Sequence, residues 1–410
     1  MRSKTRRVLL PYAIVILFAY IGFALPLPIL PEMFLDPDKS IFPPHYDLKI
    51  KMLLLGLVMA SFPFGQFFGS PFLGHLSDRY GRKKVILYSL AGTTVGYLIT
   101  AASVAAQSVT GMFFGLAFCG FCEGNVTIAQ SVIADLTHEE ELREEKAVHF
   151  GWINIFISAG FIIGPLMGGQ LADSNVVSWF TFATPFWFAA LMTVIGMAVI
   201  YKYSKETLTV KTKKEWSFFK SIWAGFKRKG LKVYYVANFF LAIGYFSFFR
   251  FLPVFLERTF NFTAAQLGYV MVYDALMIGV GVVLLIPPLA RRFKPVKSLA
   301  IFSFLLAISF IVCILPANPY ALIVTIPPIG LFLAVTITNG SLVISNEASK
   351  EFQGQALGTL TSVQVLAEFL TGIFGGVLAA KTMTLPLYVG ALTSVICGFI
   401  LLTATRRIMR

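Results

Sequence analysis

The sequence predicts an all-α membrane protein with twelve transmembrane helices in two pseudo-symmetric bundles of six. Three observations carry that expectation. Apolar residues make up 57% of the 410 positions and Asp, Glu, Lys and Arg only 13%, about half the ~25% charged content of a soluble domain. Apolar runs of the ~20 residues needed to cross a bilayer recur along the chain, interrupted by short polar stretches. One long polar connection, 203–231, lies near the middle and separates an N-terminal bundle, 1–202, from a C-terminal bundle, 232–410.

The first apolar run follows Arg6-Arg7 and extends from Val8 to about Leu30. It has no small-residue cleavage site, so it reads as a span rather than a removable leader. The same length criterion places the following spans at 52–76, 84–106, 109–133, 147–172 and 179–202. In the second half it places them at 232–256, 266–289, 297–315, 320–344, 354–380 and 385–405. Within 203–231, Trp216, Phe219, Ile222, Trp223 and Phe226 share one helical face, with Lys220, Lys227, Arg228 and Lys229 on the other. That pattern predicts a short interfacial helix on an anionic leaflet, read chiefly as a strut between the halves.

The formal charge of +14 becomes an orientation once it is sorted by loop. The side bearing both termini receives 28 basic residues and the opposite side 5. The positive-inside rule therefore places both termini in the cytoplasm. No soluble basic domain remains to bind nucleic acid. Cys119 and Cys122 sit within an apolar run and Cys313 and Cys397 lie alone in others, so neither a disulfide framework nor a metal site is expected. His45, His75, His138 and His149 map to loops or span ends. No Ser/His/Asp or metal constellation converges, and an enzyme is not expected. No phosphate-cradling loop is present, so no cofactor or ATP drive is expected.

Internal echoes support two duplicated halves. Leu76-Ser77-Asp78-Arg79-Tyr80 returns in degenerate form as Leu289-Ala290-Arg291-Arg292-Phe293, 213 positions later. Gly151, Gly168, Gly169 and Leu171 return as Gly358, Gly375, Gly376 and Leu378 at a constant offset of 207. Such repeats imply a central site near the bilayer midplane, reached alternately from each side.

The stretch Gly74-His75-Leu76-Ser77-Asp78-Arg79-Tyr80-Gly81-Arg82-Lys83-Lys84 resembles the cytoplasmic signature of the major facilitator superfamily. Two glycines permit a tight reversal, and the basic cluster holds the loop at an anionic face. The resemblance implies a cytoplasmic gate in which Asp78, Arg79 and Arg82 form a charge network with Asp135. A second motif, Gly160, Gly164, Pro165, Gly168 and Gly169, is similar to the fifth-helix signature associated with antiporters; close helix packing is its alternative reading. Ala147-Val148-His149-Phe150-Gly151, Gln66 with Pro71, and Gln353-Gly354-Gln355 look like the tetracycline-exporter branch of drug:proton antiporters. Two positions depart from that branch. Ala19 stands where the drug exporters carry an acidic residue, and Leu116 where a motif arginine is expected.

An ionisable group inside lipid is costly and becomes a functional candidate by default. Four stand within the expected spans: Glu123, Arg250, Asp274 and Glu368. Arg250 lies ~9 Å inside its span end and Asp274 ~12 Å inside its own, so the two are read as a buried ion pair, with a switchable pair or an anion-binding Arg250 as the alternative. Glu123 has no evident basic partner. Thr127 and Gln130 follow it at i+4 and i+7, and in this fold the fourth span lines the cavity. Burial disfavours a carboxylate's charged form, which suits Glu123 to carry a proton. Glu368 repeats the arrangement with Thr361 and Gln364, making Glu123, Glu368 and Asp274 the proton-coupling candidates. Gln66, Asn154, Ser158, Asn238, Tyr245, Thr336 and Asn339 are further polar positions that can face a substrate or join helices.

The expected function is secondary transport: export of a small amphipathic organic compound in exchange for protons, by a monomer in a bacterial-type inner membrane. A proton-coupled importer, or a dedicated metabolite or siderophore exporter, is the alternative on the same fold.

Overall fold

A computed structural model describes residues 3–43, 45–136, 143–208, 230–348 and 353–408. The expected interfacial helix falls in 209–229, outside the described residues, as do the side chains of Gln130, Asp135 and Asn154. Among the described residues every regular element is helical. In the first half these are α1 (Ser3–Ala24), α2 (Ile29–Leu35), α3 (Leu48–Tyr80), α4 (Arg82–Ala105), α5 (Val109–Cys122), α6 (Asn125–Leu136), α7 (Arg143–Leu171) and α8 (Thr184–Tyr203). The second half holds α9 (Leu231–Phe260), α10 (Ala264–Leu284), α11 (Ile286–Arg292), α12 (Pro295–Ile314), α13 (Leu322–Glu347), α14 (Gln353–Lys381) and α15 (Leu385–Ile408).

Eleven stretches among the described residues are long and apolar enough to cross a bilayer, and Ile155–Leu171 of α7 is a shorter apolar helix at the expected fifth span. The run expected to end near Leu30 is broken instead. Pro26 and Pro28 lack the N–H groups that would continue α1, and the chain resumes as α2. Pro287 and Pro288 likewise divide the eighth span into α10 and α11. Between α3 and α4 the reversal takes a single residue, Gly81, at φ +108°, a backbone conformation that side chains with a Cβ rarely adopt.

The chain falls into two compact units: Met1–Met33 with Ser61–Phe218 and Thr263–Tyr269, and Phe34–Ala60 with Phe219–Phe262 and Val270–Arg410. In the first unit α4 packs on α5 and α8, and α1 on α7 and α8. Its core gathers Val15, Ile16, Leu90, Ile128 and Val132. In the second, α9 packs chiefly on α14 and α15, and α12 on α13 and α15. Phe248 of α9 stacks on Phe310 of α12 with ring centroids 4.1 Å apart.

The repeated glycine pairs have a packing explanation. In the first unit a Cβ on Gly168 would strike the Leu25 carbonyl, and one on Gly169 the backbone of Ala264 and Ala265. In the second, a Cβ on Gly375 would strike the Phe251 ring, and one on Gly376 the backbone of Gly56. Each pair therefore faces two neighbours at once. Both flanks of the helix must be bare, which one glycine alone does not provide.

Candidate functional site

The fourth span is not one continuous helix. α5 ends at Cys122, Glu123 turns out of helical geometry at φ −81°, ψ 74°, and α6 starts at Asn125. A break inside a membrane leaves carbonyls without helix partners, and lipid offers no replacement. Here neighbouring helices satisfy them. The Ser89 hydroxyl of α4 lies 2.5 Å from the Cys122 carbonyl and 3.0 Å from Asn125 Oδ1, and Ser70 of α3 donates to the Glu123 carbonyl at 3.1 Å. Close approach of α3 to the break depends on small residues. Cβ atoms on Gly69 and Gly120 would overlap the backbone carbonyls of Phe121 and Phe62.

Glu123 is 7% exposed. Its carboxylate accepts one hydrogen bond, from Asn125 Nδ2 at 3.0 Å, and its second oxygen has no partner among the described residues. The Tyr97 hydroxyl from α4 is also buried without a hydrogen-bond partner among the described residues. Tyr97 reaches into the space left by Gly22 on α1; nothing in its local sequence singles it out. The break also changes the expected polar stripe. Counting i+4 and i+7 from Glu123 presumes an unbroken helix, whereas the Thr127 methyl lies against the Gly74 backbone of α3. Gln66 is half-buried on α3, next to Gly120 of α5.

The ion pair expected between Arg250 and Asp274 does not form. Arg250, 5% exposed, pairs with Glu368 of α14, 4% exposed, and a second guanidinium nitrogen donates to the Met59 carbonyl of α3. Equal depth on consecutive helices does not make them neighbours. α9 turns its Arg250 face to α14, whereas Asp274 lies where α10 meets Gly330 of α13. Glu368, expected to lack a basic partner, has one, and both oxygens of the buried Asp274 accept no hydrogen bond from the described residues. Tyr245 and Gln364 are half-buried. Asn238 and Asn339 donate to carbonyls of their own helices, Tyr234 at 2.9 Å and Val335 at 2.8 Å. The Asn238 oxygen also occupies the space beside Gly340, so this pair joins α9 to α13. Thr336 donates to Leu333 at 2.9 Å within its helix.

At the α3–α4 reversal, Asp78 pairs with Arg82, which also donates to Ser77 Oγ at 2.7 Å. Arg79 lies over the Tyr80 ring. Glu206, which no motif singles out, completes this turn. Its carboxylate accepts from the backbone N–H groups of Arg82 at 2.8 Å and Lys83 at 3.2 Å, capping the first turn of α4. In return Lys83 Nζ donates to the carbonyls of Tyr201 and Ser204, both at 2.8 Å, closing the end of α8. The residues of the fifth-helix motif pack closely too: Gly160 and Gly164 face α1, Gly168 faces Leu25 just beyond it, Gly169 faces α10, and Pro165 stands inside α7.

Among the described residues no cluster of His, Cys, Asp or Glu is arranged to hold a metal, and the four cysteines are buried thiols. The arrangement offers one half-satisfied carboxylate at a helix break, one buried ion pair tied to a carbonyl, and one unpartnered carboxylate.

A family model described as Major Facilitator Superfamily matches residues 12–371. The chain is similar to the class B tetracycline resistance protein of Escherichia coli, 32% identical over 152 residues that cover 37% of this chain and 35% of that protein. That alignment spans about a third of the relative's length. Multidrug resistance protein 2 of Bacillus subtilis (strain 168) is 25% identical over 380 residues, covering 88% of this chain and 86% of its own. Among solved structures, the human organic anion transporter MFSD10 (TETRAN) superposes with a TM-score of 0.71 at 20% identity, over 97% of this chain and 99% of that one.

Proposed function

Because the chain belongs to the Major Facilitator Superfamily, we propose that it is a proton-coupled antiporter, exporting a small amphipathic organic compound across a bacterial-type inner membrane by alternating access. The observation that carries this reading is Glu123: a buried carboxylate, half-satisfied, at the break between α5 and α6. Discontinuous transmembrane helices are where secondary transporters bind substrates and coupling ions. A carboxylate with one free oxygen can take a proton without giving up the Asn125 bond. Protonation from the outer side lowers affinity for the cargo, which leaves outward, and proton release to the cytoplasm restores it. The coupling works only if proton and cargo bind the two orientations with different affinity.

The relatives' names, tetracycline and multidrug resistance proteins, support export of a small organic compound, and the fifth-helix motif supports exchange. The distribution of basic residues supports a topology with both termini in the cytoplasm. A second reading, a dedicated metabolite or siderophore exporter or a proton-coupled importer, draws on Ala19 and Leu116, where the drug exporters carry ionisable groups.

Everted membrane vesicles containing the protein are expected to accumulate tetracycline when a proton gradient is imposed. Accumulation should vanish when an uncoupler collapses the gradient, and Glu123→Gln should fall to the level of vesicles lacking the protein. Uptake indifferent to the gradient, or unaltered by Glu123→Gln, defeats the proposal.

A further inference from the structure

The turn that joins α3 to α4 and its echo at the end of α11 differ in charge where they correspond. At the offset of 213, Asp78 becomes Arg291, Gly81 becomes Lys294, and Arg82, the partner of Asp78, becomes Pro295. The first turn is neutralised from within. Arg82 pairs with Asp78, Lys83 donates to the Tyr201 and Ser204 carbonyls, and Glu206 caps α4. The echo holds Arg291, Arg292, Lys294 and Lys297 within seven positions, and no Asp or Glu occurs between Asp274 and Glu347. All four cations are exposed, and none forms an ion pair among the described residues. Lys297 lies over the Phe293 ring, 5.3 Å from its centroid, and Lys294 adds no side-chain cap to α12. A cluster of like charges without an internal counter-charge attracts an anion from outside the chain.

The surroundings of the cluster select the anion. Just before it, Val282, Val283 and Leu284 are exposed at the end of α10, a helix long and apolar enough to span a bilayer, so their outer surface meets acyl chains. α11 follows through Pro287 and Pro288 and has no buried residue. Ile286, Leu289 and Phe293 recur at helical spacing along it. Apolar surface and cations are thus consecutive on one short segment, as acyl chains and phosphate are consecutive on one lipid. A soluble phosphate would use only the cations. We infer that residues 282–297 form a binding site for an anionic phospholipid: Arg291 and Arg292 hold its phosphate, Lys294 and Lys297 stand beside it, and its acyl chains cover Val282, Val283 and Leu284. Guanidinium forks bind phosphate oxygens through paired N–H groups, and each cation adds about fivefold to affinity for an anionic membrane surface. The inference goes beyond the transport reading and requires only that the chain span a membrane.

The test uses the purified full chain in uncharged detergent micelles. Its probes are dioleoylphosphatidylglycerol, the zwitterionic dioleoylphosphatidylcholine, and inorganic phosphate as the free anion. Native mass spectrometry counts the lipid retained, and thermal unfolding reads its effect. Phosphatidylglycerol is expected to be retained at lower concentration than phosphatidylcholine, to raise the melting temperature where phosphatidylcholine does not, and to lose that advantage as salt is raised toward about 1 M. R291Q/R292Q should weaken phosphatidylglycerol retention by about 25-fold, two cations at fivefold each, while its melt in phosphatidylcholine matches that of the unaltered chain, because both side chains are exposed. K202Q/K205Q removes two exposed cations at the end of α8 and should keep full retention. If R291Q/R292Q does not fold, K294Q/K297Q reads the same site and should weaken retention in the same direction. Equal retention of the two lipids, retention indifferent to salt, full retention by R291Q/R292Q, or an equal loss in K202Q/K205Q overturns the proposal. Inorganic phosphate that by itself reproduces the rise in melting temperature overturns the assignment to a lipid. None of these outcomes depends on transport, so the export reading stands or falls separately.

Discussion

Glu32 on the short helix α2 accepts a hydrogen bond from the N–H of Ala264, the first residue of α10. That donor is one of the orphans at a helix start, and both residues are buried, so neither water nor lipid can replace the carboxylate. Glu32→Ala is expected to lower stability by about 1–3 kcal/mol, the cost of an unsatisfied buried donor, read as a drop in melting temperature of the purified protein; an unchanged melt would assign the capping to another group. Asp274 is the converse case. Its carboxylate has no hydrogen-bond partner to lose among the described residues, so Asp274→Asn should leave the melting temperature unchanged or raised. Glu368→Gln, which strips Arg250 of its counter-charge, should lower it. The two substitutions look equivalent in the sequence, where both acids sit in apolar runs, and only their neighbours separate them.

Helices meet here through glycine. A Cβ on Gly120 of α5 would overlap the Phe62 carbonyl of α3, whereas Cβ atoms on Gly279 of α10 and Gly358 of α14 would meet nothing within 4 Å among the described residues. Gly120→Ala is therefore expected to destabilise by about 1–3 kcal/mol through overpacking, while Gly279→Ala and Gly358→Ala should be neutral or slightly stabilising, as helix propensity dictates. Thermal unfolding of the three variants side by side checks this, and equal melts would mean that α3 and α5 can move apart at no cost. The duplicated glycine pairs were legible as an echo at constant spacing, but not their reason, which is that each helix is approached on both flanks. The break in the fourth span was hidden for a related cause. Glu123-Gly124 carries no proline to announce it, and the unwound carbonyls are tolerated only because Ser70 and Ser89 reach them from α3 and α4.

At the scale of the whole molecule, the proposed orientation can be read by labelling, since the native cysteines are all buried. An impermeant maleimide should label a cysteine at exposed Asn175 in intact cells, and one at exposed Arg292 only after permeabilisation; the reverse pattern would invert the topology. The sequence by itself determined the class, the family and the approximate place of most spans, because crossing lipid demands only length and apolarity, both local properties, and because the Gly74–Lys84 turn is written in consecutive residues. It also singled out four intramembrane ionisable groups, to which the structure adds the buried Glu32 and Glu257 within the described spans. The tertiary structure decided which of them meet: Arg250 with Glu368 and the Met59 carbonyl, Asp274 with no hydrogen-bonding partner among the described residues, Glu123 at a break and half-satisfied. Depth along a span can be counted from the chain. The direction a side chain faces depends on which helices pack together, and that is settled by contacts between residues from 33 to 191 positions apart.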